Sequence, residues 1–178
     1  PPSFLSKAET DILGKLGYLE KTMLDPSVVL SDQSLPGDIT ALAFNDRENL
    51  IASADDGSIR LYNVDLKPAK TVQGKNGQKP SCLQFSPDGS KLAVGYTDTP
   101  AIDVFAATDL AYLYSPDTTD LAKAFSSALI WSTDGRFLYA AYSAAQKSET
   151  DIYRWRAGGE GRRSLINHAD APIARMVP

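Results

Sequence analysis

Short apolar runs, partly alternating and bounded by turn residues, recur along this chain at intervals of about 40 to 50 residues. One copy reads ITALAFNDRENLIASADDGSIRLYNV. The next reads PSCLQFSPDGSKLAVGYTDTPAIDVFAA, and a third reads SSALIWSTDGRFLYAAYSAAQKSETDIYRWRA. A period of this size means that similar units stack or form a ring. In register, Phe44, Phe85 and Trp131 fill one shared position. Leu50, Leu92 and Phe137 fill a second, and Tyr62, Phe105 and Trp155 a third.

A turn separates the first two positions: Asn45-Asp46-Arg47-Glu48, Ser86-Pro87-Asp88-Gly89 and Ser132-Thr133-Asp134-Gly135. Pro presets φ for a turn, Asp bonds its own backbone and Gly accepts positive φ. The flanking runs are short and apolar, so each copy begins as a β-hairpin. In the first copy, strand a spans Ile39–Phe44, strand b Leu50–Ala54 and strand c Ser58–Val64, with Asp55-Asp56-Gly57 as the b–c turn. A fourth run, Lys70–Gln73, matches Ala111–Ser115 and Arg163–Asn167 in the later copies. Four antiparallel strands per unit make the blade of a β-propeller. The pattern predicts an all-β chain with blades at about 36–73, 79–115 and 125–167 and a partial blade at 168–178. The apolar runs are too short for a helical solenoid.

These residues resemble the WD-repeat family of β-propellers over the stretch from about Val28 to the end of the sequence. Phe85-Ser86-Pro87-Asp88-Gly89 and Asp56-Gly57-Ser58-Ile59-Arg60-Leu61-Tyr62-Asn63 carry the resemblance. The family ends strand c in Trp-Asp; here the pair is Tyr62-Asn63, Phe105-Ala106 and Trp155-Arg156. It also places Gly-His before strand a, where Asn167-His168 stands in the last copy. The resemblance implies that His168 has a structural turn role, and that Asp56 or Glu149 occupies the b–c position that bonds such a His. The third copy, with Tyr153-Arg154-Trp155 before Gly158-Gly159-Glu160-Gly161, is also similar to propellers appended to bacterial caspase-like proteases and signalling NTPases.

The N-terminal stretch differs. Leu5, Ala8, Ile12, Leu16, Leu19 and Met23 recur at spacings of three and four, which predicts an amphipathic linker helix within residues 1–26. Ser6 and Glu9 resemble a capping box, and Pro26 marks its end. The blades number three, with partial strands at Val28–Ser31 and Pro172–Val177. Closed propellers use about four to eight. The remaining blades are therefore expected from the parent chain or from oligomerisation.

Composition narrows the chemistry. A net charge of -4 and a pI near 5.0 give no polybasic footprint for nucleic acid. No run approaches the roughly 18 apolar residues of a membrane helix. Cytoplasmic placement is the expectation. The single cysteine, Cys82, falls in a strand and reads as a buried thiol. With one histidine there is little material for a catalytic triad, and no zinc, calcium or phosphate-loop spacing stands in the sequence. No cofactor or metal is expected. Gly158-Gly159-Glu160-Gly161 reads as a flexible c–d connection, with Arg154, Arg156, Arg162 and Arg163 around it as a small basic spot or a solvated strand edge.

Two function classes follow. One is a non-catalytic interaction scaffold or sensor, part of a larger multidomain protein, which meets a protein, a peptide or another domain through loops on a rigid ring. Tyr96, Tyr142, Arg154 and Trp155 are the protein-binding candidates provided they are exposed, since aromatics and Arg dominate hot spots. Otherwise they fill the core between blades. The alternative is a propeller enzyme or small-ligand binder with a site in the central channel.

Overall fold

The computed structural model describes residues 38–45, 50–63, 67–121, 124–144 and 150–169. They form three four-stranded sheets in which each strand pairs antiparallel with the next. The first blade holds β1 (Ala41–Asn45), β2 (Leu50–Asp55), β3 (Ser58–Tyr62) and β4 (Pro68–Gln73). The second holds β5 (Pro80–Phe85), β6 (Lys91–Tyr96), β7 (Ile102–Ala106) and β8 (Tyr112–Tyr114). The third holds β9 (Ala124–Trp131), β10 (Phe137–Ala144), β11 (Thr150–Arg156) and β12 (Arg163–Ala169). The expected all-β blade architecture is thus present. The expected N-terminal helix, the Val28–Ser31 and Pro172–Val177 runs and Glu149 lie outside the described residues.

Each meander puts the a–b turn and the c–d connection at one end of its blade, and the b–c turn and d–a loop at the other. The blades meet face to face. Ile59 and Leu61 of the first blade pack with Leu83 and Phe85 of the second. Ala93, Ile102 and Val104 of the second pack with Leu129, Trp131, Leu138 and Trp155 of the third. Period-2 alternation makes this possible, because one face of each strand supplies one seam. Leu42 and Phe44 occupy in β1 the places that Leu83 and Phe85 fill in β5, yet each is 62% exposed.

The pairing corrects one shared position read from the sequence. Phe44 opposes Ile51, Phe85 opposes Leu92 and Trp131 opposes Leu138. The equivalents of Leu92 are therefore Ile51 and Leu138, while Leu50 and Phe137 match Lys91. A one-residue slip moves a side chain to the opposite face of a sheet. Phe137 accordingly lies outside the packed seam that Leu138 enters. The sequence offered two neighbouring apolar residues at each of these sites, and only strand pairing chooses between them.

Side-chain hydrogen bonds also fasten the blades. Thr40 Oγ1 donates to the Pro80 carbonyl at 2.8 Å, and Asn45 Nδ2 to the Gly89 carbonyl at 3.0 Å. Between the second and third blades, Trp131 Nε1 donates to the Gln84 carbonyl at 3.2 Å and the Tyr142 hydroxyl to the Pro100 carbonyl at 2.7 Å. Buried polar groups need such partners, because an unmet donor costs about 1–3 kcal/mol.

Candidate functional site

Three of the four protein-binding candidates sit in the interior. Tyr96 is 0%, Tyr142 2% and Trp155 0% exposed. Trp155 Nε1 donates to the Asp117 carbonyl at 2.9 Å, on the connection from the second blade to the third. The condition of exposure is therefore not met for these aromatics; they are packing and fastening groups. Arg154 is only partly buried, and its guanidinium lies 4.9 Å from the centre of the Phe137 ring. The structure does not bring these four to one surface.

A buried carboxylate that the sequence reading passed over lies beside Tyr96. Asp103, fully buried in β7, accepts five hydrogen bonds. The Lys75 and Asn76 amides reach Oδ2 at 2.8 and 2.9 Å, with the Tyr96 hydroxyl at 2.6 Å. Asn76 Nδ2 and Ser115 Oγ reach Oδ1 at 2.6 and 2.7 Å. Burial, then the bond to Asp103, pushes the Tyr96 phenol well above its ordinary range. With its lone pairs engaged by fixed donors, Asp103 is a fastener for the d–a loop and not a free base. Its only sequence signal was a lone carboxylate inside the apolar run Ala101–Phe105.

The family pattern placed an Asp in the b–c turn to hold the d–a loop. Asp98 does this in the second blade, accepting from the amides of Gln78 at 2.9 Å and Lys79 at 3.1 Å. Asp56 pairs with Arg60 at 3.1 Å, and the residues before position 38 that lead into the first blade lie outside the described residues. His168 lies within β12 opposite Asp151, so it stands in a strand where the sequence reading placed a turn. Burial raises the Cys82 thiol, which sits 3.5 Å from Ser126 Oγ. A raised thiol is a poor nucleophile at neutral pH. Among the described residues, no three His, Cys, Asp or Glu side chains gather as metal ligands. No helix among them is long and apolar enough to cross a membrane.

The end bearing the a–b turns and c–d connections carries exposed charged and polar side chains on ordered turns. Two turns repeat one hydrogen-bond plan. Ser86 Oγ and Ser132 Oγ each donate at 2.6 Å to Asp88 and Asp134, two residues on. The Ser90 and Arg136 amides donate to the same carboxylates at 3.1 and 3.0 Å. Gly89 and Gly135 supply φ of +72° and +68°, where a Cβ is strained. The Ser86 hydroxyl is the largest influence on Asp88, whose pKa falls from the ordinary 3.8 to about 2. Ser132 likewise lowers Asp134. Between the turns lies a cleft of about 270 Å³ carrying Asp88, Lys91, Thr133 and Asp134.

The c–d connection of the third blade is tied down at this end, not the loose linker its glycines suggested. Ala157–Gly159 forms a one-turn 3₁₀ helix. The Gly158 amide donates to the Arg136 carbonyl at 3.0 Å, and the Tyr114 hydroxyl to the Gly158 carbonyl at 2.8 Å. A Cβ on Gly158 would stand 2.9 Å from the Trp131 ring, so glycine here allows close approach. The result is a set of rigid, exposed, charged turns.

Comparison with known proteins agrees with this geometry. The family model "WD domain, G-beta repeat" matches residues 29–63 and 66–99. Among solved structures, the β-propeller domain of Cps50 (Swd1) from Myceliophteria thermophila matches with a TM-score of 0.58 at 14% identity, over 76% of this chain and 44% of that one. The RRP9 WD40 repeats match with a TM-score of 0.60 at 20% identity, over 76% and 39%. A putative 6-phosphogluconolactonase from Bacteroides uniformis matches with a TM-score of 0.57 at 18% identity, over 77% and 42%. The chain thus spans less than half the length of each of these structures. No curated protein sequence matches it. Residues 29–63 and 66–99 thus match WD repeats, and the chain shares the four-stranded blade fold of these β-propeller structures. Propeller domains of this family generally mediate protein interactions.

Proposed function

We propose that this chain is a segment of a non-catalytic protein-interaction scaffold, and that it meets its partner at the end formed by the a–b turns and the c–d connections. The observation that carries the reading is how the polar groups divide. Asp103, Tyr96, Tyr142, Trp131 and Trp155 are buried and bonded to backbone or to one another. At the proposed end the exposed Asp88, Ser90, Thr133, Asp134 and Arg136 stand on two turns that Asp88 and Asp134 hold in one conformation. Pre-formed loops bind without an ordering cost.

The test compares two sets of variants of the full chain. Thr133→Arg and Glu160→Arg alter exposed positions at the proposed end, and Lys79→Glu alters the opposite end. Proteins retained in stoichiometric amount should be lost with the first pair and kept with the last. Retention unchanged in all three variants would remove the proposed end from the reading. Turnover of a small metabolite by the isolated chain would remove the scaffold reading itself.

A further inference from the structure

The four arginines near the third c–d connection, expected as a small basic spot or a solvated strand edge, are separated in the structure. Arg163 is taken up inside the blade: its guanidinium lies 5.2 Å from the Tyr153 ring centre, 3.3 Å from the Asp117 carbonyl and 3.6 Å from Asp120. Arg136 takes its place. It flanks, with Phe137, Arg156 and Ala157, a cleft of about 380 Å³. Strand pairing sets Arg156 opposite Phe137 and Arg154 opposite Tyr139. The guanidiniums of Arg154 and Arg136 stand 4.9 and 5.7 Å from the centre of the Phe137 ring.

Two guanidiniums therefore stand by one aromatic ring, and Arg156 lines the same cleft. Arg136 has a single carboxylate nearby, Asp134 at 3.6 Å, and that pair is largely exposed. Exposed pairs of this kind contribute about 0–1 kcal/mol, so a competing anion displaces them readily. Arg156 forms no ion pair among the described residues. Arg154 Nε is buried without a hydrogen-bond partner. A buried donor left unmet is costly, and Arg154 keeps its positive charge beside the cleft through its contact with Phe137. Guanidinium forks match carboxylates in plane and spacing, and a ring beneath them keeps them oriented.

Resting on the scaffold reading, we propose that the Arg136–Phe137–Arg156 cleft docks an acidic polypeptide segment of the partner, whose Asp or Glu carboxylates take the guanidinium forks. Polypeptide is favoured over nucleic acid because the cluster is local and the chain carries a net charge of -4, with no basic stripe to follow a phosphate backbone.

The test titrates an oligoglutamate peptide into the full chain, with an oligolysine peptide and a single-stranded oligonucleotide as comparators. Oligoglutamate should bind and weaken with salt, and Arg136→Glu with Arg156→Glu should weaken it about tenfold or more. The doubly reversed variant should gain affinity for oligolysine. Both positions are exposed, so an unchanged thermal unfolding midpoint shows that the fold is kept. Arg156→Lys supplies a gentler variant, keeping charge but losing the fork, and should bind with intermediate strength. Oligoglutamate affinity indifferent to both variants overturns the proposal, as does oligonucleotide binding that responds to the reversal in its place. Loss of natural-partner capture with Thr133→Arg but not with the arginine reversals would sink this proposal and leave the scaffold reading standing.

Discussion

The Tyr96 hydroxyl donates to Asp103 at 2.6 Å, and neither side chain is reached by solvent. Strand β6 supplies the phenol and β7 the carboxylate, and the d–a loop closes over both. Gly77 makes that closure possible, because a Cβ there would overlap the Tyr96 ring. Tyr96→Phe removes one of five donors to a buried carboxyl group and should cost about 1–3 kcal/mol. Asp103→Leu strands all the donors and should cost at least about 3 kcal/mol. Gly77→Ala should destabilise through overlap alone. Urea unfolding of the three variants checks the order.

The turn carboxylates make stability depend on acid. The Asp88 pKa lies near 2 in the folded chain against an ordinary 3.8. A depressed carboxyl stabilises the fold above the ordinary value, and this contribution is lost as pH falls from about 4 to about 2. Asp88→Asn should lower the melting temperature at neutral pH, and the difference from wild type should vanish at the acid end. A gap that stays constant with pH would assign Asp88 a purely steric role.

Trp155 is expected to matter for folding and not for binding. Trp155→Phe leaves the Asp117 carbonyl without its 2.9 Å donor and a space beside Leu138. A loss of about 1–3 kcal/mol should follow. Partner capture, measured well below the melting temperature, should be unchanged.

Gly95 tests the seam between the second and third blades. A Cβ at Gly95 would come within 2.6 Å of both Cys82 Sγ and Ser126 Oγ. Gly95→Ala should therefore push the blades apart and cost about 1–3 kcal/mol. Cys82 should react slowly with a thiol reagent in the wild type, since burial raises its pKa. In Gly95→Ala the reaction should accelerate, and a thiol assay reads this directly.

Most of the fold was legible because turn chemistry is local. Ser-Pro-Asp-Gly and Ser-Thr-Asp-Gly announce their hairpins through residues within one turn of each other. Strand bounds followed to within a few residues, as for Leu50–Ala54 against the observed Leu50–Asp55. What escaped was whatever depends on pairing across strands. Phe137 and Leu138 are both apolar neighbours, and only the opposition of Trp131 to Leu138 sends Phe137 out to the arginines. Asp103 escaped for the same reason, since its donors come from residues 75, 76, 96 and 115. The candidate aromatics were recognised as important, but sequence pattern cannot separate a residue that packs from one that binds.

The most direct measurement is site-specific photo-crosslinking from Thr133, on the exposed turn between β9 and β10, and from Lys79, on the d–a loop at the other end. The account predicts a discrete adduct with a partner protein from Thr133 and none from Lys79. Adducts from Lys79 alone, or none from either position while a small substrate is consumed, would contradict it.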